Sequence, residues 1–268
     1  ATTLGQLPII PCRAQQSPMY FVGSTNQLPR NLISVQSSTP TKLLGITIGL
    51  AWLGYAFALW IGHRAGWLME PAAWDQRLFK IINHADLPAW LDQVAIYSRD
   101  PLTWIPVYLA ILAWMWYRPV PHAWKIFGIL VLAVILSDQC SASLIKPWVM
   151  RVRPCRFPET AANARILVPC GSGYSFVSSH ASNHFALAWT LGLIFYHRWR
   201  STGLIIGSLW ASLICWSQIR VGVHFPLDIA CGALLGMLIA ATLRAVFQAS
   251  LRQDAVSSTE AFSYPPNH

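Results

Sequence analysis

The sequence predicts an all-α fold, an integral membrane bundle of six transmembrane helices. Composition is the first reason. Of 268 residues, 54% are hydrophobic and only 11% are charged, where a soluble domain carries about 25% charged residues, and the mean hydropathy is +0.43. The second is that the apolar residues gather in six runs near the length of about 20 residues that a helix needs to cross a bilayer. The third is the 14 Trp and 8 Tyr, side chains that suit the headgroup level of a membrane.

Taken in order, Ala1–Thr41 is rich in Pro, Ser, Thr and Gln and lacks the apolar core of a cleaved signal peptide. It reads as a flexible or loosely docked cytoplasmic tail. Residues 42–249 read as the membrane domain. Its spans are Leu43–Gly62, Pro101–Tyr117, Ile126–Ile145, Ala181–Tyr196, Thr202–Ile219 and Ile229–Leu243, and within them Asp138 is the only Lys, Arg, Asp or Glu. Backbone in lipid must satisfy its own hydrogen bonds, so these spans are expected to be helices. Between the first two, the run from Asp75 to Asn83 has apolar residues at helical spacing and reads as a surface-lying or ordinary amphipathic helix. Ser250–His268 reads as a second tail.

The net charge is +9. The cations are spread over loops rather than massed on one polar face, so a nucleic acid partner is not expected. Anionic lipid or a phosphate substrate accounts for them more simply. With both termini cytoplasmic, nine Lys/Arg flank the inner ends of the spans and ten the outer ends. Setting aside Lys146, Arg151, Arg153, Arg156, Arg165 and Arg220, which belong to a candidate phosphate region, leaves four outside and favours this orientation.

Three motifs then fall on the outer side. The first is Lys146 followed seven residues later by Arg153-Pro154: a point charge, a planar fork suited to two phosphate oxygens, and a proline that ends the helix. The second is Ser178-Ser179-His180 at the head of an apolar run, where Ser caps free backbone N–H groups and a His can protonate a leaving alkoxide. The third is His224 with Asp228 four residues on. The carboxylate would take a proton from one ring nitrogen and leave the other free to attack phosphorus. Each motif alone has a plain structural explanation. All three on one side point to phosphoryl transfer through a histidine.

In these motifs the sequence resembles the type 2 phosphatidic acid phosphatase family, which shares its core with vanadium haloperoxidases. The family pattern is Lys, six residues, Arg-Pro; then Pro-Ser-Gly-His; then Ser-Arg, five residues, His, three residues, Asp. Lys146, Arg153, Pro154, Ser178, His180, Ser217, His224 and Asp228 match it, while Val177 and Ser179 replace Pro and Gly. The third-motif Arg is replaced by Gln218, with Arg220 two residues later. Arg220 is therefore expected to take over part of that charge, with Gln218 as the neutral alternative.

The resemblance implies a membrane lipid phosphatase without metal or other cofactor. His224 would be nucleophile, Asp228 its orienting acid and His180 the general acid and base. Lys146, Arg153, Ser178 and Ser179 would hold the phosphoryl oxygens. The partners implied are membrane lipids and a lipid phosphate: undecaprenyl diphosphate, phosphatidylglycerol phosphate, phosphatidic acid or a lipid A phosphate. The implied location is a bacterial inner membrane, with the site facing the periplasm or exterior. A lipid phosphotransferase with the same site, or a non-catalytic lipid-binding or transport protein, remain as alternatives.

Cys155 and Cys170 bracket the loop between the first two motifs. A disulfide is expected there if the loop faces an oxidising compartment, and two free thiols otherwise. His180 and His184 have zinc-like spacing, but no nearby Cys or carboxylate completes a ligand set. Asp138 is assigned a pairing role with Lys146 or a neighbouring helix.

Overall fold

The computed structural model describes residues 41–118 and 120–263, with side chains at 43–118 and 120–251. The expected tail at Ala1–Thr41 thus lies outside the described residues up to position 40. Among the described residues there are helices and loops and no strand. In order they are α1 (Thr41–Arg64), α2 (Ala73–Asn83), α3 (Ala89–Ser98), α4 (Pro101–Tyr117), α5 (Ala123–Asp138), a π-helical segment (Gln139–Ile145), α6 (Lys146–Val149), α7 (Pro158–Ala161), α8 (Ser179–Ile194), α9 (Tyr196–Arg220) and α10 (Pro226–Ser263). The last helix runs through most of the stretch read as a C-terminal tail.

Among the described residues, four helices are long and apolar enough to cross a membrane: Leu43–Arg64, Ala123–Val149, Tyr196–Arg220 and Pro226–Leu251. The other two expected spans are shorter, α4 with 17 residues and α8 with 16. Tyr196–Arg220 is broken at Arg200, whose φ of 53° and ψ of −144° leave helical space. Large apolar side chains such as Leu50, Leu53, Phe57 and Trp60 on α1 are exposed, as a face turned to lipid requires.

The helix α8 packs against α5, α9 and α10. Glycines allow its closest approach. A Cβ at Gly232 would stand 2.6 Å from the carbonyl oxygen of Ser178, and one at Gly236 would collide with the carbonyl of Ser182. This four-residue repeat of Gly lets two helix backbones meet closely within a membrane. Leu59, Phe176, Val177, Ala186, Leu235 and Ile239 belong to the main apolar core that results.

The short helices α2 and α3 cover the ends of α9 and α10 rather than lying free on the membrane surface. Asp75, Phe79 and Asn83 share one face of α2 at four-residue spacing, and all three are fully buried. Phe79 packs with Ile219 and Phe225. Ala95 of α3 packs with Val221 and Val223. Both short helices therefore clamp the turn between α9 and α10, where Gly222 adopts φ +86° and a Cβ would sit 2.8 Å from the Arg165 carbonyl.

Candidate active site

The three sequence motifs converge on the mouth of that turn. The continuous helix Ala123–Val149 delivers Lys146 just after its π-helical stretch, a distortion that often marks functional positions. This helix stops at Val149, with Met150 in the left-handed conformation (φ 55°) as its cap. The helix ends there and not at Pro154, as the sequence suggested, because a left-handed residue ends the helical ladder first. A loop outside any helix then carries Arg151 and Arg153.

His224 is buried and held at both ring nitrogens. Nδ1 lies 3.3 Å from Asp228 Oδ2, and Nε2 lies 3.3 Å from Arg153 Nη1. The Asp228 carboxylate also accepts the Phe225 N–H at 2.9 Å on Oδ2 and Arg151 Nη1 at 2.7 Å on Oδ1. A carboxylate so surrounded stays an acceptor, which places the ring proton on Nδ1 and leaves Nε2 with its lone pair. Burial pushes the His224 imidazole down to about 4, with the positive charges of Arg153 and Lys146 working in the same direction and Asp228 opposing. The ring is therefore neutral at pH 7.

Arg153 is fixed by carbonyls. Nε donates to Gly173 O at 2.9 Å and Nη1 to Val223 O at 3.3 Å. Burial lowers its proton affinity, Asp228 raises it, and the like charges of Arg156 and Arg99 lower it further. Lys146 Nζ donates to Ser179 Oγ at 2.8 Å, and Ser141 Oγ donates to the same oxygen at 2.9 Å. Ser178 caps α8 by accepting the Ala181 N–H at 3.4 Å. Its own N–H donates to Asp228 O at 3.0 Å, which ties the second motif to the third. His180 follows in the first turn of α8. His184 Nδ1 bonds the His180 carbonyl at 2.8 Å, and the His184 ring rests on Trp210 at 5.0 Å. Among the described residues no third ligand joins the His180–His184 pair into a metal-binding cluster.

A cavity of about 600 Å³ opens between α4, α5 and α8. Tyr108, Ile111, Phe127 and Val131 line its apolar length, and Asp138, Ser179 and His180 also line it. Asp138 thus lies on the cavity wall.

The profile of the PAP2 superfamily matches residues 122–252, which hold every one of these motif residues. The putative undecaprenyl-diphosphatase YbjG of Escherichia coli is 30% identical over 181 residues, 64% of this chain and 82% of that protein. The chain belongs to the PAP2 superfamily. The lipid A 4'-phosphatase of Porphyromonas gingivalis is 29% identical over 169 residues, 62% of this chain and 69% of that one. The crystal structure of Aquifex aeolicus LpxE superposes with a TM-score of 0.51 at 26% identity, covering 65% of this chain and 97% of that one.

One PAP2 position is filled differently. Arg220 does not supply the charge missing at Gln218. Its Nε donates to Asp92 Oδ1 at 2.8 Å, and its Nη1 donates to the carbonyls of Asn83 at 2.8 Å and Ala85 at 2.7 Å. Helix α9 is continuous from Gln218 to Arg220, so the side chain points about 200° from position 218, toward α2 and α3. Gln218 is fully buried, and neither amide atom has a hydrogen-bond partner among the described residues.

Sequence reading also missed Arg151 as a bridge. It joins Asp228 to Asp75, 2.5 Å from its Nη2, and Asp75 accepts the Leu227 N–H at 2.9 Å. A signal was present: Asp75 is in register with Phe79 on the face of α2 that packs inward, where a carboxylate needs a partner. Cys155 and Cys170 form a disulfide, with Cα atoms 6.0 Å apart.

Proposed function

We propose that the chain is a metal-independent membrane lipid phosphatase acting through a phosphohistidine. The observation that carries this reading is the His224 ring, neutral and oriented by Asp228, with Nε2 beside the Arg153 guanidinium. In the first step Nε2 attacks phosphorus, the N–P bond forms and the P–O bond to the lipid breaks. His180, which burial keeps neutral in the free protein, takes up a proton beside the bound phosphate anion and gives it to the departing oxygen. In the second step water attacks phosphorus as His180 takes a proton from it, the N–P bond breaks, and inorganic phosphate leaves with His224 restored. Lys146, Arg153, Ser178 and Ser179 stabilise the phosphoryl oxygens.

The apolar cavity ending at His180 supports a lipid leaving group. A prenyl or acyl chain would lie between α4, α5 and α8 with its headgroup at Lys146 and Arg153. The relatives, a lipid A 4'-phosphatase and a putative undecaprenyl-diphosphatase, support the same class, and an isoprenoid diphosphate is the preferred substrate. The membrane domain of 42–249 would contain six spans, with α4 and α8 as the two short ones. The site would face the periplasm or exterior of a bacterial inner membrane, as the disulfide in its loop supports.

The experiment is phosphate release by purified protein in detergent from a panel of lipid phosphates, with EDTA present and no added acceptor lipid. Release from at least one lipid diphosphate or monophosphate is the expected result. Release only on addition of an acceptor would assign a phosphotransferase. Inhibition by EDTA reversed by one metal would remove the metal-free step.

A further inference from the structure

A phosphoryl group in transfer spreads charge over several oxygens, and the site must meet it with fixed cations. Most guanidinium groups near His224 are already committed. Arg151 is taken by Asp75 and Asp228, and Arg220 by Asp92 and backbone carbonyls. Arg165 pairs with Asp92, and Arg156 donates to the carbonyls of Gly171 and Gly173. Arg153 keeps part of its fork for a ligand, and Lys146 Nζ donates to the neutral Ser179 hydroxyl.

Arg99 stands apart from these. It follows α3 directly, and Ser98 beside it shares a 2.6 Å hydrogen bond with Ser217, the neighbour of Gln218. Trp104 Nε1 donates to the Ser98 carbonyl at 2.7 Å and fixes the same turn. Two residues on, Pro101 lines the cavity that also contains Ser179 and His180. The Arg99 carbonyl faces the His180 imidazole, and the Arg99 charge acts on both His180 and Arg153. Its Nε is shut off from solvent and has no hydrogen-bond partner among the described residues; Arg151 Nε and Arg220 Nη2 are in the same state, but carboxylates hold the other nitrogens of those two. A buried, unpaired guanidinium nitrogen is costly, and an anion arriving at the site would satisfy it.

We propose that Arg99, reaching in from the α3–α4 turn, is a phosphate-binding residue that supplies the cation absent at Gln218. The inference rests on the phosphatase reading above and adds a residue to it. The charge is thereby moved from α9 to a separate element. Gln218, without a charge, avoids a second guanidinium beside Arg99 and Arg153, where like charges would repel.

The test uses the full chain purified in detergent, with orthovanadate as a phosphate-shaped probe in titration calorimetry and phosphate release as the rate. Arg99→Ala is expected to weaken vanadate binding and to lower kcat/KM by about 100-fold, the loss seen when one donor to a reacting oxyanion is removed. Arg99→Lys is expected to fall between, since it keeps charge and loses the planar fork. Gln218→Ala is expected to lose less than Arg99→Ala. Should Arg99→Ala fail to fold, Arg99→Gln keeps the length of the side chain and carries the same expectation. An active wild type whose folded Arg99 variants bind vanadate and turn over within threefold of it overturns this inference alone. A wild type that neither binds vanadate nor releases phosphate overturns the phosphatase reading and this inference together.

Discussion

Arg151 grips Asp228 through the carboxylate oxygen that His224 does not use, Nη1 to Oδ1 at 2.7 Å. Its other nitrogen holds Asp75 at 2.5 Å, and all three side chains are fully buried or nearly so. One cation between two carboxylates leaves a buried net negative charge that the His224 N–H and the Phe225 and Leu227 N–H groups share. Asp75→Ala leaves Arg151 paired with Asp228 but orphans Arg151 Nη2 and the Leu227 N–H, and is expected to destabilise the protein by about 1–3 kcal/mol for each orphaned donor and to lower kcat more than KM, because it loosens the arginine that steadies Asp228. Thermal unfolding in detergent alongside steady-state rates checks this. An unchanged melting point would show that the network does not hold the fold.

His224 has its own signature. His224→Ala is expected to abolish acid-labile labelling of the protein by a ³²P lipid phosphate. His180→Ala is expected to leave labelling possible with an acidic leaving group and to slow it with an alkoxide, since only the latter needs a proton. Labelling that survives in the His224 variant would place the nucleophile elsewhere.

The pH dependence follows from burial. With His224 pushed down to about 4, the free enzyme keeps its nucleophile unprotonated far below the ordinary range near 6.5. The sign is fixed by the neutral form being favoured in the folded protein. The unfolded chain takes up a proton first, so this group's contribution to stability is present above about 6.5 and is lost as pH falls toward 4. The limb of kcat/KM attributable to His224 is expected near pH 4, measured with a substrate whose phosphate does not titrate between pH 4 and 7. A limb at 6.5 that Asp228→Asn does not move would contradict the buried, neutral ring.

What could be read from the sequence was local. Lys146 with Arg153 and His224 with Asp228 are each within seven residues, so local spacing singled them out and the family resemblance supplied their roles. The all-α class followed from the apolar runs for the same reason. Long-range partners left no such mark. Arg151 meets Asp75 across 76 residues and Arg220 meets Asp92 across 128. The sequence therefore left Asp75–Asn83 open between a surface-lying and an ordinary amphipathic helix, of which the buried face fits the second, and gave Arg220 a share of a phosphate where it has Asp92. The expected spans Pro101–Tyr117 and Ala181–Tyr196 fall on α4 and α8, of 17 and 16 residues, so the short length of both runs was legible in the sequence too.

The close approach of α8 and α10 gives a sharper mutational test than their apolar contacts. Gly236→Leu is expected to force apart the backbones that carry Ser178 and Asp228, lowering both the melting point and activity. Gly54→Leu on α1, where nothing lies within 4 Å of a Cβ, should leave both unchanged. Equal effects would mean that helix insertion, and not this contact, limits the protein.

The Cys155–Cys170 disulfide closes a separation of 15 residues, and the chain immediately beyond Cys170 presents the carbonyls that hold two arginines. Gly173 O receives Arg153 Nε at 2.9 Å and Arg156 Nη2 at 2.7 Å, and Gly171 O receives Arg156 Nη2 at 2.6 Å. The cross-link therefore limits the wandering of the strap that aims Arg153 at His224. A loop of this length is worth about 3 kcal/mol through the unfolded chain. The effect on Arg153 adds a functional loss that entropy alone does not predict. Cys155→Ser with Cys170→Ser is expected to lower the melting point and to weaken orthovanadate binding. Added reductant should do the same to the wild type and nothing further to the variant. A lower melting point with vanadate affinity unchanged would confine the disulfide to stability and leave the aim of Arg153 to its carbonyl bonds.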